Sequence, residues 1–401
     1  MTFQSNSNIT VAVKRETVTG TANTTVTGAV GVRLIGSSGL SLKRSAIQSQ
    51  EISADGVMPM GRLGGKSVDG GFSSELSVGG AHALFLEAVM RSAWATSTSI
   101  TFATMTTVAV GTNEVVAAGG SWLTQGIRVG DVFKLVGTTV SGNNNTNQIV
   151  TAVTTLTISV VTGAFTTLVG TVTGTLTRLP KLVGAATPSR YSHTIEQYDE
   201  DTDLSELFLG CRCIGAKFSF KPNAMATVEY SFMGMDRTVL ATGTSPWFTT
   251  PTYTTGLALI ADDSAIRYNG ATVATFTGFD LDISIDAKGE SVLGSFVSPD
   301  IFDNRQSVKA SISGLRSDFS KLALYDAETE FEVSIVLQEP ATAPKPCLSF
   351  FIPRAKISAL SAAVGGGDGP KVETLELMIG PKVATSSYDG TVLSISSSSS
   401  S

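Results

Sequence analysis

Charge is scarce in this chain. Lys and Arg number 28 and Asp and Glu 34, together 15% of 401 residues, and the formal net charge is −6. Soluble domains carry about a quarter charged residues. The sequence shows no basic cluster to neutralise phosphates, which argues against tight nucleic-acid binding. Low charge beside 42% hydrophobic residues also excludes a disordered, strongly charged chain. Cysteine is limited to Cys211, Cys213 and Cys347. That is too few and too odd for a disulfide framework, and it fits a reducing compartment. Cys211 and Cys213 would share one strand face and do not form a C-x-x-C pair, so all three are expected to be ordinary buried or half-buried thiols. The two histidines, His82 and His193, lack the spacing of a metal site or a catalytic triad and are expected to be structural. No run approaches the roughly 20 apolar residues of a membrane span. The opening segment, Met1–Thr10, has no apolar run like that of a signal peptide. A soluble protein made in the cytoplasm is expected.

What the sequence does contain is Ser, Thr, Gly and Asn in period-two patterns. In Phe279–Asp286, Phe279, Leu281, Ile283 and Ile285 fall on one face and Asp280, Asp282, Ser284 and Asp286 on the other. Similar alternation predicts strands at Ala216–Phe220, Thr227–Phe232, Val308–Ile312, Glu330–Leu337 and Glu373–Ile379, each bounded by turn residues. Helix is predicted at Ala81–Trp94, with Leu84, Phe85, Ala88 and Val89 as its apolar stripe. A shorter helix is predicted over Asp318–Tyr325, burying Phe319, Leu322 and Leu324. The fold class is therefore all-β with one main helix.

From Thr98 to Pro180 the composition changes. The only charged residues are Glu114, Arg128, Asp131, Lys134 and Arg178, while Thr, Val and Gly dominate. Short strands are predicted at Asp131–Val136, Gln148–Val153 and Thr155–Val160. This reads as a small β domain, 98–182, inserted between a first core part, 1–97, and a second, 183–388. An insert of this kind is expected to be dispensable for folding of the core. The run Gly365–Pro370 reads as a flexible turn or hairpin loop, 389–401 as a serine-rich tail, and its last five residues, all serine, as a low-complexity stretch without capacity to pack.

Motifs that invite chemistry fail on spacing. Gly61–Ser67 ends in Gly-Lys-Ser, but the glycine that a phosphate loop needs is replaced by Met60. The acidic run Glu196, Asp199, Asp201, Asp203 and Glu206 has alternating carboxylates but no central glycine, and its glutamate closes too early for a calcium loop. A solvated loop or a contact with a neighbouring subunit remains. The carboxylates Asp280, Asp282 and Asp286 would need a pocket with unequal environments for acid–base work. They read as the wet face of a sheet or an acidic wall along a channel. Glu330 and Glu332 alternate with Phe331, Val333 and Ile335 in the same way. No catalytic, cofactor or metal residues are assigned.

Several stretches, in order, carry a resemblance. They include Lys14–Thr17, Val32–Leu34, Ser49–Ile52 with Asp55-Gly56, and Gly70–Leu76 leading into the helix. After the insert come Ser192–Gln197, Phe208–Cys211, Phe232–Gly234, Val292–Ser295, Val308–Gly314 and Phe350–Arg354. Together they resemble the major tail tube proteins of long, non-contractile-tailed phages. The resemblance implies a β-sandwich or barrel beside a helix, polymerising as stacked sixfold rings around a channel for DNA, in the virion tail. It implies the chain itself, a tape measure protein, a tail terminator and distal tail proteins as partners. DNA would pass without tight binding, past lumen-facing carboxylates for which Asp280, Asp282, Asp286, Glu330 and Glu332 are the candidates. Glu196–Glu206 would be the candidate subunit interface, and the insert would face outward. Another virion component, such as a decoration or baseplate protein, shares this composition. A glycan-binding adhesin, with Trp122, Trp247 and Tyr253 as its aromatics, is a further alternative, and a hydrolase a more distant one.

Overall fold

The computed structural model describes residues 8–36, 38–51, 55–168, 173–340, 343–362 and 369–399. Within them the chain is all-β and antiparallel, with two short helices. One ladder runs through ten strands. In spatial order they are Leu40–Ile47, Arg62–Glu75, Thr227–Gly234, Leu204–Phe220, Phe276–Gly289, Ile301–Leu315, Val372–Ile379, Cys347–Ala362, Phe331–Gln338 and Ala265–Tyr268. The sheet coils upon itself. Phe218 and Phe220 on the Leu204 strand meet Phe350 on the Cys347 strand, with ring centroids 4.9 and 5.9 Å apart. Strands distant in the ladder thus close over one core, which the twist of antiparallel sheets permits.

Alternation explains that core. Phe279, Leu281, Ile283 and Ile285 are buried in it, as are Ala216, Phe218 and Phe220 opposite them. The main helix spans Ala81–Met90 and lays Phe85 against Tyr230 and Phe232, with centroids 4.9 and 5.0 Å apart. It ends four residues before the predicted Trp94, because Arg91 turns left-handed at φ 53° and donates its N–H back to Ala88. The second helix is Ser320–Asp326. Of its predicted apolar face, Leu324 packs against the core and Leu322 is half-buried, but Phe319 is corrected by the structure. Phe319 is 70% exposed, and the buried residue is Lys321, whose ammonium reaches Glu373 at 2.5 Å.

The segment 98–178 forms two four-stranded sheets around its own apolar cluster, which includes Trp122, Ile127, Phe133 and Leu176. The predicted strand Gln148–Val153 is two strands, Gln148–Ile149 and Ala152–Val153, one in each sheet. This unit does not merely hang from a loop. Phe351, on the outer face of the Cys347 strand, enters its core, and Val336 and Cys347 pack against Val132, Ile149 and Leu179. The strand Phe331–Gln338 is consequently buried on both faces from Val333 to Leu337.

The serine-rich end also packs, contrary to the sequence reading. Ser394–Ser397 is a buried strand between Leu348–Phe351 and Lys181–Val183. A ladder needs only backbone donors and acceptors, and a serine side chain is small enough to bury there. The Ser398 hydroxyl accepts the Cys347 N–H at 3.0 Å. The predicted loop residues 365–368 lie outside the described residues; the strands on either side of them pair antiparallel.

Both histidines sit in this core. His82 contacts the Tyr230 hydroxyl and the Glu75 carbonyl, each at 3.1 Å, and His193 meets Phe85 edge-on. Burial lowers each pKa from 6.5 to about 4. The unfolded chain therefore binds protons that the folded chain refuses, so stability is full above pH 6.5 and is lost as pH falls from 6.5 towards 4. Each histidine should cost about 2 kcal/mol at pH 5. Urea midpoints at pH 7 and pH 5 should converge in His193→Gln relative to the parent protein. A second expectation concerns the 98–178 unit. Replacing it with a Gly-Ser linker should give aggregate, because Phe351 and Val336 become uncovered. Adding Val336→Ser and Phe351→Ser should restore a soluble β-rich chain, read by size exclusion and circular dichroism.

Candidate functional site

The acidic run is a hairpin in which each carboxylate has its own partner. His193–Asp199 and Leu204–Phe220 pair around a turn at Glu200–Asp203, where Asp203 has φ 50°. Glu196 is only 1% exposed, and its two oxygens accept the N–H groups of Trp247 and Phe248 at 2.6 and 2.8 Å. Asp199 accepts the Asp201 N–H at 3.0 Å, and Asp201 accepts from the Asn8 amide at 2.7 Å. Asp203 accepts from the Gly243 N–H and the Tyr198 hydroxyl at 3.0 and 3.2 Å. Glu206 pairs with Arg237 at 2.6 Å. These carboxylates therefore tie down the 242–248 loop and the neighbouring strands one by one. Among the described residues, no three His, Cys, Asp or Glu side chains converge as metal ligands. At the end of this hairpin Ile9, Leu204 and Val239 are exposed on adjoining strands.

Asp280 and Asp282 do share a wet face, with Asp286 exposed further along the strand. They line a shallow trough of about 970 Å³ together with Lys217, Glu229, Lys309, Glu376 and Met378, while Asp286 lies beyond it. The wall is not purely acidic. Register places Glu229, Lys217, Asp282 and Lys309 directly abreast on four adjacent strands, so sign alternates along the row. Opposite charges facing each other across strands stabilise the sheet modestly. In the next row Asp280 accepts from the Ser219 hydroxyl at 2.7 Å and faces Ser311, with Glu376 beyond it. Period-two reasoning locates such residues on a face but cannot say which strands lie beside them.

Glu330 and Glu332 belong elsewhere. Glu330 precedes the strand and forms a two-pronged pair with Arg354 at 2.7 and 3.0 Å, which lowers its pKa. Glu332 is half-buried beside Arg267 and accepts from the Tyr388 hydroxyl at 3.4 Å; burial raises its pKa. Neither lines the trough around Asp282. The sequence missed the reason, which is the packing of the 381–393 segment, through Lys382 and Tyr388, over this part of the sheet.

The largest feature that sequence reasoning overlooked is apolar. The hairpin of Leu40–Ile47 and Arg62–Glu75 starts inside the core at Leu40, Val68 and Phe72, but its outer half leaves it. There Ile47, Val57, Met58 and Leu63 are exposed and Met60 is 95% exposed. The loop 290–298 lies alongside, joined by the Lys66 N–H to the Phe296 carbonyl at 2.7 Å. It adds Val292, Phe296 and Leu293, the last fully exposed. Strand Leu40–Ile47 has no second strand partner among the described residues, so the arm also presents an open edge. The signal was the run Val57–Met60, an apolar stretch in an otherwise glycine-flanked loop.

Neither histidine and none of the three cysteines reaches a surface cleft, and burial pushes the thiols of Cys213 and Cys347 up to about 12. The surfaces that stand out are extended and suited to contact. No curated protein matches the chain. The phage tail tube protein family matches it over residues 6–379, almost its whole length. The chain thus belongs to the phage tail tube protein family, and it is a structural component of a virion tail.

Proposed function

We propose that the subunit polymerises as stacked rings, six to a ring, into the tube through which DNA leaves the virion. The observation that carries this reading is the arm built from Leu40–Ile47 and Arg62–Glu75. An isolated hairpin gains little stability in water, and one bearing Met60 and Leu63 in the open gains more by docking on another subunit. The open edge of Leu40–Ile47 offers unpaired backbone groups for the same purpose. The turn Glu200–Asp203, beside exposed Ile9, Leu204 and Val239, is proposed as a second subunit contact; Glu196 is too deeply buried to take part directly. Tape measure, terminator and distal tail proteins are the partners that such a tube requires at its centre and ends. Assembly would take place in the host cytoplasm.

The trough face with Asp280, Asp282 and Asp286 is proposed as the inner wall. Its mixed row of Glu229, Lys217, Asp282 and Lys309 offers no cluster of cations to trap a phosphate backbone. Glu330 and Glu332 are assigned instead to the cleft beside Lys382 and Tyr388, and the 98–178 unit would decorate the outside.

Two expectations test these readings separately. Met60→Asp with Leu63→Asp should fold with an unchanged melting curve yet remain monomeric, whereas the parent protein should form tubes in negative-stain micrographs. Tubes of normal length from the double variant would remove the arm from assembly. For the wall, Asp280→Lys, Asp282→Lys and Asp286→Lys together should still assemble, because exposed cross-strand like charges cost roughly 0.2–1 kcal/mol each. DNA ejection should then slow at low salt and recover as salt rises, since screening beyond about 8 Å is strong at physiological ionic strength. Ejection at the parental rate in low salt would place this face away from the channel.

A further inference from the structure

One buried ionic cluster joins three distant parts of the chain. Lys181 lies just after the 98–178 unit, Asp131 within it, and Asp389 close to the final strand. The Lys181 ammonium stands 3.0 and 3.4 Å from the two oxygens of Asp131 and 2.7 Å from Oδ2 of Asp389. Asp131 is 1% exposed and Lys181 nearly as buried. Fully buried Val132 and Leu182 are their immediate chain neighbours, and Leu182 pairs in turn with fully buried Ile395. Asp131 is held from behind, since its Oδ2 accepts the Arg128 N–H at 2.8 Å. Lys181 is fixed by backbone bonds to Ala95 on one side and by pairing with Ser396 on the other.

Such a cluster is an expensive way to hold a fold. Two opposite charges taken out of water gain little net stability over apolar packing. The geometry is, however, that of a reaction. The amine nitrogen lies within reach of both Asp131 oxygens and is therefore close to the carboxyl carbon. A second carboxylate touches the same nitrogen and is partly open to solvent. Burial raises the Asp131 pKa, favouring the neutral carboxyl against the opposing pull of Lys181 and Arg178. Groups held in this way react as though at very high concentration.

We propose that Lys181 and Asp131 condense into an intramolecular amide, with Asp389 as proton relay. The atoms balance without any co-reactant. Asp389 accepts one proton from the ammonium and passes it to the Asp131 carboxylate, leaving a free amine and a neutral carboxyl. The nitrogen lone pair then forms a bond to Cγ of Asp131. Asp389 carries a second proton from nitrogen to one carboxyl oxygen, the C–O bond breaks, and water departs. The positive and negative charges disappear together, so the burial cost of the pair is removed. The remaining Asp131 oxygen keeps its bond from Arg128, and the new amide N–H keeps Asp389 as acceptor. The product is a covalent strut between the inserted unit and the strand that anchors it to the core.

A tryptic map of the denatured, full-length parent protein tests this directly. With the bond, cleavage after Lys181 is blocked, and Val129–Lys134 elutes joined to Leu179–Arg190 at a mass about 18 Da below their sum, one water. Asp131→Asn should give the identical branched product by losing ammonia, about 17 Da from its own intact mass. Lys181→Arg should abolish it, and Asp389→Asn should leave most molecules unjoined in the same digest. Separate Leu179–Lys181 and Val129–Lys134 peptides from the parent protein would overturn the proposal, whatever the variants do. A branch through Asp389 in place of Asp131 would overturn the assignment of partner and relay.

Discussion

The architecture depends on a single strand serving two sheets. Leu204–Phe220 pairs in its first half with His193–Asp199 and Asp236–Leu240, and in its second half with Thr227–Gly234 and Phe276–Gly289. The change of partners falls at Gly210, where φ is 64° and a Cβ would lie 2.5 Å from the Met235 sulfur. Its N–H is held by Glu16, a buried carboxylate that also accepts from Thr194 and Gly20. Only glycine meets both the left-handed backbone and the close approach. Because the strand turns there, its two halves can present Phe208 and Phe218 to one continuous core, and the coiled ladder can bring Phe350 back across it. The main helix closes the remaining side with Phe85.

Much of this was legible in the sequence, and the reasons differ by element. Phe276–Gly289 declares itself because one face is buried and the other wet, so polarity alternates strictly. Thr227–Gly234 does the same. Phe331–Gln338 carries the same signal only at its start, because the 98–178 unit buries its second face. The helix start was readable from where its apolar stripe begins, but not its end, which is set by one left-handed residue, Arg91. The serine strand was hidden altogether. Its stability comes from neighbours on both sides, and composition carries no trace of them.

The acidic residues teach the same lesson about sites. The carboxylates of Glu196, Asp199, Asp201, Asp203 and Glu206 look like one cluster along the chain. In space they point to different partners, and the most buried, Glu196, serves a loop some fifty residues away. Asp282 looked like part of a negative stripe until its lateral neighbours Lys217 and Lys309 were known. Sequence fixes which face a strand residue occupies, whereas pairing fixes the company it keeps there. The exposed Met60 and Leu293 are the converse case, where residue type alone pointed inward and topology carried them out.

The alternating row on the trough face has a consequence for its electric field. Charges of opposite sign on adjacent strands, about 4.8 Å apart, repeat every second strand. The potential of such a grating decays over roughly 1.5 Å, the repeat divided by 2π, far faster than the screening length of the salt around it. One hydration layer above Glu229, Lys217, Asp282 and Lys309 the individual charges are already indistinct. A polymer gliding over this face would meet a nearly level electrical landscape, with no side chain deep enough in potential to act as a foothold.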